Sequence, residues 1–513
     1  MTSAARTVRS RTLPAAAILG VVLLASACSS SSHSKSTATT TANGSTASTA
    51  AAPSTTARPA GPAANLDTEL TGGRGPYIAA ATPEDMASIG YVQTEYAAAG
   101  TATSYRAIGP LAHDGRWAFA PAASAPYRTR VLVRAPKDPK KFSGTVIVEW
   151  LNVSGGADAD PDWVSLREEI VRAGDVWVGV SAQRIGVEGG PVLVSVNVPG
   201  NDAAGKGLKK IDPARYRSLV HPGDGYAFDI FTQVARALRT GAGLGGLHAQ
   251  RIVAAGESQS AFALVTYYDG VQPLTHAFDG FFVHSRGAVG LPLVAPGKYA
   301  DIAGSLSGGS AIFRTDQSAP VMDIQTETDV ASILDSYAAR QPDTDRFRLW
   351  EVAGTAHADV HLVGASSKYI DCGVPINDGP MHLVAKAALR ALGTWLVDGT
   401  PPRIAPRINV APGASPTVKR TADGIARGGI RTPPVDVPVA ALSGAPGPKQ
   451  STICLLLGST KPFTSARLAQ LYPSRARYTA QYDADAERVI QQGFVLPEDR
   501  AALLAFAQPQ LIR

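Results

Sequence analysis

Arg251-Ile252-Val253-Ala254-Ala255-Gly256-Glu257-Ser258-Gln259-Ser260-Ala261 is the stretch that decides the fold of this chain. Ile252 to Ala255 form a short apolar run between an arginine and a glycine, which reads as a buried strand. Gly256 to Ser260 follow at once, and Ala261-Phe262-Ala263-Leu264-Val265 then supply an apolar segment able to begin a packed helix. Strand, sharp turn, serine and helix in that order are the setting of a nucleophile elbow. There a strained turn exposes the serine hydroxyl beside the positive end of the helix. Gly256 leaves room for the backbone to reverse. Ser260 stands where a second glycine is usual, and it is small enough to let helix approach strand. Gly-x-Ser alone is a weak signal, since it recurs at Gly179–Ser181, Gly364–Ser366 and Gly413–Ser415. The flanking strand and helix single out Ser258.

Outward from the elbow, elements alternate. Gly144 to Leu151 is a β-branched run suited to a central strand, and it opens into the loop Asn152–Gly156. Trp163 to Ala173 has helical spacing, and Val176–Ser181 is the next strand. Tyr226 to Thr240 is an amphipathic helix, with Phe228, Phe231, Val234, Ala235 and Leu238 on one side. Downstream, Phe278–His284, Pro320–Gln325 and Arg346–Val352 read as strands, and Met381 to Leu396 as a closing helix. Tyr91–Tyr96 and Tyr127–Arg134 alternate like strands with one exposed face. Strands alternating with helices predict an α/β chain with a mostly parallel sheet covered on both faces. Two Gly- and Pro-rich insertions, 184–225 and 286–318, are expected to form a lid. The core spans about 126–400. An extension, 401–513, ends in helix-like sequence at Pro497 to Ala507 and is expected to pack back on the core.

A serine hydroxyl is a poor nucleophile and needs a base within hydrogen-bond reach, itself oriented by a carboxylate. In this architecture the partners follow in the order Ser, acid, His, each just past a strand's carboxyl end. The chain supplies that order with Ser258, then Asp329 or Glu327, then His357. Asp329 is preferred, lying three residues past Thr326; Glu327 is the alternative. The oxyanion hole is expected to use the backbone N–H of Gln259, with a second donor from Leu151 or Asn152. His357 stands out among the nine histidines by following the last strand in a Gly-Thr-Ala-His loop. His361 completes His-x-Asp-x-His with Asp359, but without a further histidine pair or cysteine cluster no metal is assigned. No cofactor is expected. His284 either faces the pocket or caps the sheet. Trp150 and Trp163 serve either packing or the substrate wall.

The amino end carries Arg6, Arg9 and Arg11, then an apolar and small-residue run from Pro14 to Ala27. Residues 1–27 read as a signal peptide, too short to span a bilayer as a stable helix. Leu23 to Cys28 resembles a bacterial lipobox, with Cys28 as the lipidated first residue; ordinary cleavage and free secretion is the alternative. Past Cys28, the segment 28–65 carries Ser, Thr, Ala, Pro, Gly and a few polar residues, with no apolar side chain larger than Pro. Such a segment cannot offset its ordering entropy, and it reads as a disordered tether to a folded part spanning 66–513. The chain has 48 basic and 42 acidic residues, formally +6. Loss of the three leader arginines leaves +3, and no basic stripe with interleaved aromatics points to nucleic acid. Cys372 and Cys454 remain, and in an exported protein they are expected to pair.

Six runs then converge: Glu149-Trp150-Leu151-Asn152, Trp177 to Gln183, Gly256 to Ala261, Thr326 to Asp329, Gly354 to Asp359, and Ala426 to Pro433. Together they resemble a bacterial α/β-hydrolase domain family over nearly the whole chain after the tether. The resemblance implies an α/β-hydrolase fold and makes the Gly428-Gly429 tail part of the same unit. It carries reaction class, not specificity. The expectation is a lipoprotein on the outer face of the membrane, or a secreted protein, that cleaves small-molecule carboxylic esters through an acyl-Ser258. A peptidase, amidase or acyltransferase on the same residues, or an idle binding protein, stay open.

Overall fold

Nine strands form one sheet in the computed structural model, which describes residues 58–79, 85–196, 202–413 and 415–513. The described residues belong to the unit Ala57–Arg513. The expected signal peptide, Cys28 and the expected tether up to residue 57 lie outside them. The strands are β1 (Asn65–Glu69), β2 (Tyr91–Ala107), β3 (Phe119–Pro136), β4 (Thr145–Trp150), β5 (Val176–Val180), β6 (Arg251–Glu257), β7 (Gly280–His284), β8 (Val321–Thr326) and β9 (Phe347–Val352). Their order is β1-β2-β3-β5-β4-β6-β7-β8-β9. The first four positions pair antiparallel, and from β5 onward every pair is parallel.

The central strands are apolar because both faces are covered. Every residue of β4, β5, β8 and β9 is buried. Alternation along β4 sends Val146, Val148 and Trp150 into one core and Ile147 into the other. The first core contains α2 (Ala227–Arg239) and α3 (Gln259–Thr266). The second contains α1 (Pro161–Ala173) and α4 (Met381–Asp398). Two separate apolar layers thus hold the sheet, and the carboxyl ends of β6, β8 and β9 share one rim.

Two differences from the sequence reading have local causes. Strand β2 runs 17 residues, well past Tyr96, because Ala97 to Ser104 lacks the bulk that makes alternation visible. This stretch passes against α2, where Gln233 Nε2 donates to the Thr101 carbonyl (2.8 Å) and Asp229 accepts the Thr103 N–H (2.7 Å). Composition ends the tether at Asn65, yet residues 58–64 lie against the body. Ala64 donates its N–H to the Gln233 carbonyl (2.9 Å), and Arg58 pairs with Asp279. Small side chains leave a backbone that can still pair.

The extension returns to the sheet. Ile430 bridges Val352 in parallel, so it covers the β9 edge. Gly428 and Gly429 both have positive φ, and a Cβ on Gly429 would come within 2.7 Å of Ile408. Helices α5 (Thr452–Leu456) and α6 (Arg475–Gln491) follow, and Ala486 and Val489 of α6 join the core of Trp350 and Trp395. Cys372 and Cys454 are joined, closing a loop of 82 residues. No helix among the described residues is long and apolar enough to cross a membrane.

Candidate active site

Ser258 sits between β6 and α3 with φ +60° and ψ −121°, a conformation that a residue with a Cβ rarely adopts. Its N–H donates to the His284 carbonyl at 2.9 Å, which pins the turn to β7. A Cβ on Gly256 would lie 3.0 Å from the Ser260 backbone. The glycine therefore permits the crossing of helix and strand, and Ser260 is buried against it.

Past β8 the chain makes one helical turn, Glu327–Val330, closed by a reciprocal cap. Asp329 Oδ2 accepts the Thr326 N–H (2.6 Å), while Thr326 Oγ1 accepts the Asp329 N–H (3.4 Å). This fixes the carboxylate so that Oδ1 faces His357 Nδ1 at 2.7 Å. Glu327 turns elsewhere. It accepts the N–H groups of Gly354 (2.8 Å) and Gly444 (2.9 Å) and pairs with Arg420 at 2.6 Å. Glu327 thus ties the extension to the loop that carries His357.

His357 Nε2 lies 2.8 Å from Ser258 Oγ. With Nδ1 donating to Asp329, Nε2 is left to accept the serine hydroxyl. Burial draws the imidazole pKa down, but the charges of Asp329 and Glu257 outweigh it and hold it above the ordinary value. The Glu257 carboxylate is 3.5 Å from the same Nε2. Burial pushes its pKa up to about 7, against the opposing influence of His357 and His284. Sequence reasoning missed this group, although it stands beside the serine in the elbow itself.

Gln259 opens α3, so its N–H has no carbonyl one turn back within the helix. The second oxyanion donors named from sequence are corrected. Leu151 N–H is spent on the Val180 carbonyl (3.1 Å) and Asn152 N–H on the Ala159 carbonyl (2.9 Å). Sheet pairing runs one residue beyond β4, and Asn152 then turns back on its own loop. Its side chain instead donates to the Glu257 carbonyl at 3.1 Å. Val153 is the first N–H of this loop to reach the elbow, donating to Gln259 Oε1 at 3.2 Å. Gln259 Nε2 in turn donates to Gln183 Oε1, which also accepts from Trp150 Nε1 (3.0 Å). One glutamine side chain therefore links the loops after β4 and β5.

The remaining sequence candidates fall outside the reacting centre. His284 is buried against Asp162, with Nδ1 to Oδ1 at 3.0 Å, and it holds the elbow through its carbonyl. Trp150 packs on Phe228 and Phe231, and Trp163 on Tyr91 and Trp177, so both are core. Asp359 caps a short helix through the Leu362 N–H (2.9 Å). His361 stacks on His382 with ring centroids 3.7 Å apart. Among the described residues no group of three or more His, Cys, Asp or Glu is placed to hold a metal.

A cavity of about 330 Å³ opens over Ser258 and His357. Both insertions and the extension border the site: Val194 and Ala204 come from the first insertion, Ile302 and Leu306 from the second, and Ile453 and Leu456 from α5.

A family model described as an alpha/beta hydrolase domain matches residues 59–505. No curated protein matches the chain. Among solved structures the chain is similar to a serine hydrolase without lid from Xanthomonas campestris, at 14% identity over 58% of this chain and 97% of that one, with TM-score 0.28. It is also similar to an alpha-beta serine hydrolase homologue from Coxiella burnetii, at 14% identity, 49% and 88% coverage and TM-score 0.23. A rice cell wall degrading esterase from Xanthomonas oryzae matches at 13% identity, 43% and 49% coverage and TM-score 0.21.

Proposed function

This chain belongs to the family of alpha/beta hydrolase domains, and from that premise we propose that it is a serine hydrolase cleaving carboxylic esters through an acyl-Ser258 intermediate. The observation that carries the reading is the bridging position of His357, 2.8 Å from Ser258 Oγ and 2.7 Å from Asp329 Oδ1.

In this reading the neutral His357 takes the Ser258 proton as Oγ attacks the ester carbonyl. Asp329 fixes the tautomer and stabilises the imidazolium. The Gln259 N–H, at the positive end of α3, faces the developing oxyanion. His357 then returns its proton to the alcohol oxygen as the C–O bond breaks. Water, activated by the same nitrogen, attacks the acyl-enzyme and releases the acid. The scheme calls for small-molecule substrate and water and for no cofactor.

The leader residues Arg6, Arg9 and Arg11, the run 14–27 and Cys28 support export with a lipid on Cys28, the hydrolase standing off the outer face of the membrane on the tether. The Cys372–Cys454 bond fits an oxidising compartment. Cys28→Ser should move the protein from the membrane fraction to the medium; retention in the membrane would refute the anchor. The enzymatic reading is tested with a fluorophosphonate probe, which should label the wild type and not Ser258→Ala. Equal labelling of both would overturn it.

A further inference from the structure

Ser258 and His357 line not one cavity but two. Beside the large one lies a compartment of about 40 Å³, walled by Leu193, Val194, Phe262, Ile302, Leu306 and Leu456. Its polar neighbours are few, and they include Gln259, whose N–H is the oxyanion donor assigned above. At about 40 Å³ against about 330 Å³ it is far smaller than the cavity beside it and suits only a short group. The larger cavity is of a size that holds a whole small ligand.

The chemistry of two half-reactions decides which compartment takes which half of the ester. The acyl group stays on Oγ after the first step, while the alcohol must leave and a water must enter beside His357 Nε2. The outgoing group therefore needs the side with an outlet and polar partners. The large cavity has both. Ser195 and Ala204 on its wall are exposed to solvent, and Asn152 and Glu257 line it; the small compartment also meets solvent, at Thr452 and Ile333, but lacks those two polar side chains. Glu257 lies 3.5 Å from Nε2, so the polar end of this cavity adjoins the nitrogen that exchanges protons with alcohol and water. The small compartment offers aliphatic and aromatic walls, which suit a short hydrocarbon chain that does not move between steps.

Resting on the esterase reading above, we propose that the small compartment is the acyl subsite and the large cavity the alcohol subsite. The substrates are then esters of short acids, acetyl to butyryl, with bulky alcohols. Chain length is set by Leu306 and Ile302 from the second insertion and Leu193 from the first, which gives those insertions a role in selectivity.

Two isomeric esters separate the halves. Benzyl acetate pairs a small acyl group with a large alcohol, and methyl phenylacetate reverses the pairing. With the full-length chain, kcat/KM for benzyl acetate should exceed that for methyl phenylacetate by about tenfold or more. Along p-nitrophenyl acetate, butyrate and octanoate, kcat/KM should drop at least about tenfold between butyrate and octanoate. Leu306→Ala and Ile333→Ala, the latter on a 38% exposed side chain of the same wall, should each raise the octanoate-to-acetate ratio severalfold. That ratio does not depend on the fraction of protein folded. A preference for methyl phenylacetate, or a flat chain-length profile with Ser258 still labelled by fluorophosphonate, overturns the subsite assignment and leaves the hydrolase standing. No turnover of any ester together with no labelling overturns both.

Discussion

The Glu257 carboxylate lies 3.5 Å from His357 Nε2, on the nitrogen that also faces Ser258 Oγ at 2.8 Å. The imidazole is thus held between two carboxylates, Asp329 on Nδ1 and Glu257 beside Nε2. Only the first is part of the proposed triad. The second acts on the base through its charge.

Removing that charge should move the acid limb of the rate profile. A nearby anion favours the imidazolium, so Glu257 raises the His357 pKa. Glu257→Gln withdraws that support, the pKa falls, and the neutral base persists to lower pH. The acid limb of kcat/KM is expected to shift toward lower pH, as measured across a buffer series on p-nitrophenyl acetate. A limb that stays in place or moves upward would count against the assigned coupling.

Asp329 and Glu327 should separate by the kind of damage each causes. Asp329→Asn loses the group that orients His357 and is expected to lower kcat by about 10⁴-fold. Glu327→Gln disturbs a buried carboxylate that holds Gly354, Gly444 and Arg420. It should cost about 1–3 kcal/mol of stability, seen as a lower denaturant midpoint, with a much smaller loss in kcat. Reversal of the two phenotypes would reassign the acid.

The architecture around the serine was legible because it is local: strand β6, Ser258 and α3 are contiguous, and the apolar run on each side has one reading. The proposed acid was narrowed only to two carboxylates. Both carboxylates follow β8, and the choice between them is made by the Thr326 cap, a geometric detail that spacing does not carry. The second oxyanion donor was sought at residues 151 and 152, at the end of the strand text, where the N–H groups still pair with Val180 and Ala159. Helix α6 went unseen although Tyr478, Tyr482 and Val489, all buried, recur at helical spacing; the charged and Ala-rich surroundings hid it. Glu257 was passed over because an elbow is read through its backbone, and the burial that gives its carboxyl a neutral-range pKa comes from distant chain.

Buried carboxyls should make the fold more stable in mild acid than in mild base. Burial pushes Glu257, Asp323 and Asp359 up to about 7 and Asp175 up to about 6. Between about pH 4, where unfolded carboxyls lose their protons, and 7, these carboxyls hold more protons in the folded chain, and they outnumber the buried His221, His361 and His382, whose lowered pKa acts the other way. Stability therefore falls as pH rises through that window. Calorimetry is expected to give a higher Tm near pH 5.5 than near pH 8, and the opposite order would contradict the burial of these groups.

The disulfide should matter to the base as well as to the fold. Cys454 lies in α5, whose Leu456 carbonyl accepts the N–H of Ala358, the residue after His357, at 3.1 Å. Cys372→Ser with Cys454→Ser frees an 82-residue loop and should cost about 2–5 kcal/mol, read as a lower urea midpoint than wild type. An unchanged midpoint would show that the bond constrains nothing that unfolds.

The central claim, that Ser258 carries the acyl group, is tested most directly by quenching the enzyme during turnover of p-nitrophenyl acetate and mapping the acetyl adduct by peptide mass spectrometry. An adduct is expected on the peptide containing Ser258, within the burst phase, and none in Ser258→Ala. Steady turnover with the adduct on another residue, or with Ser258→Ala as active as wild type, would contradict it.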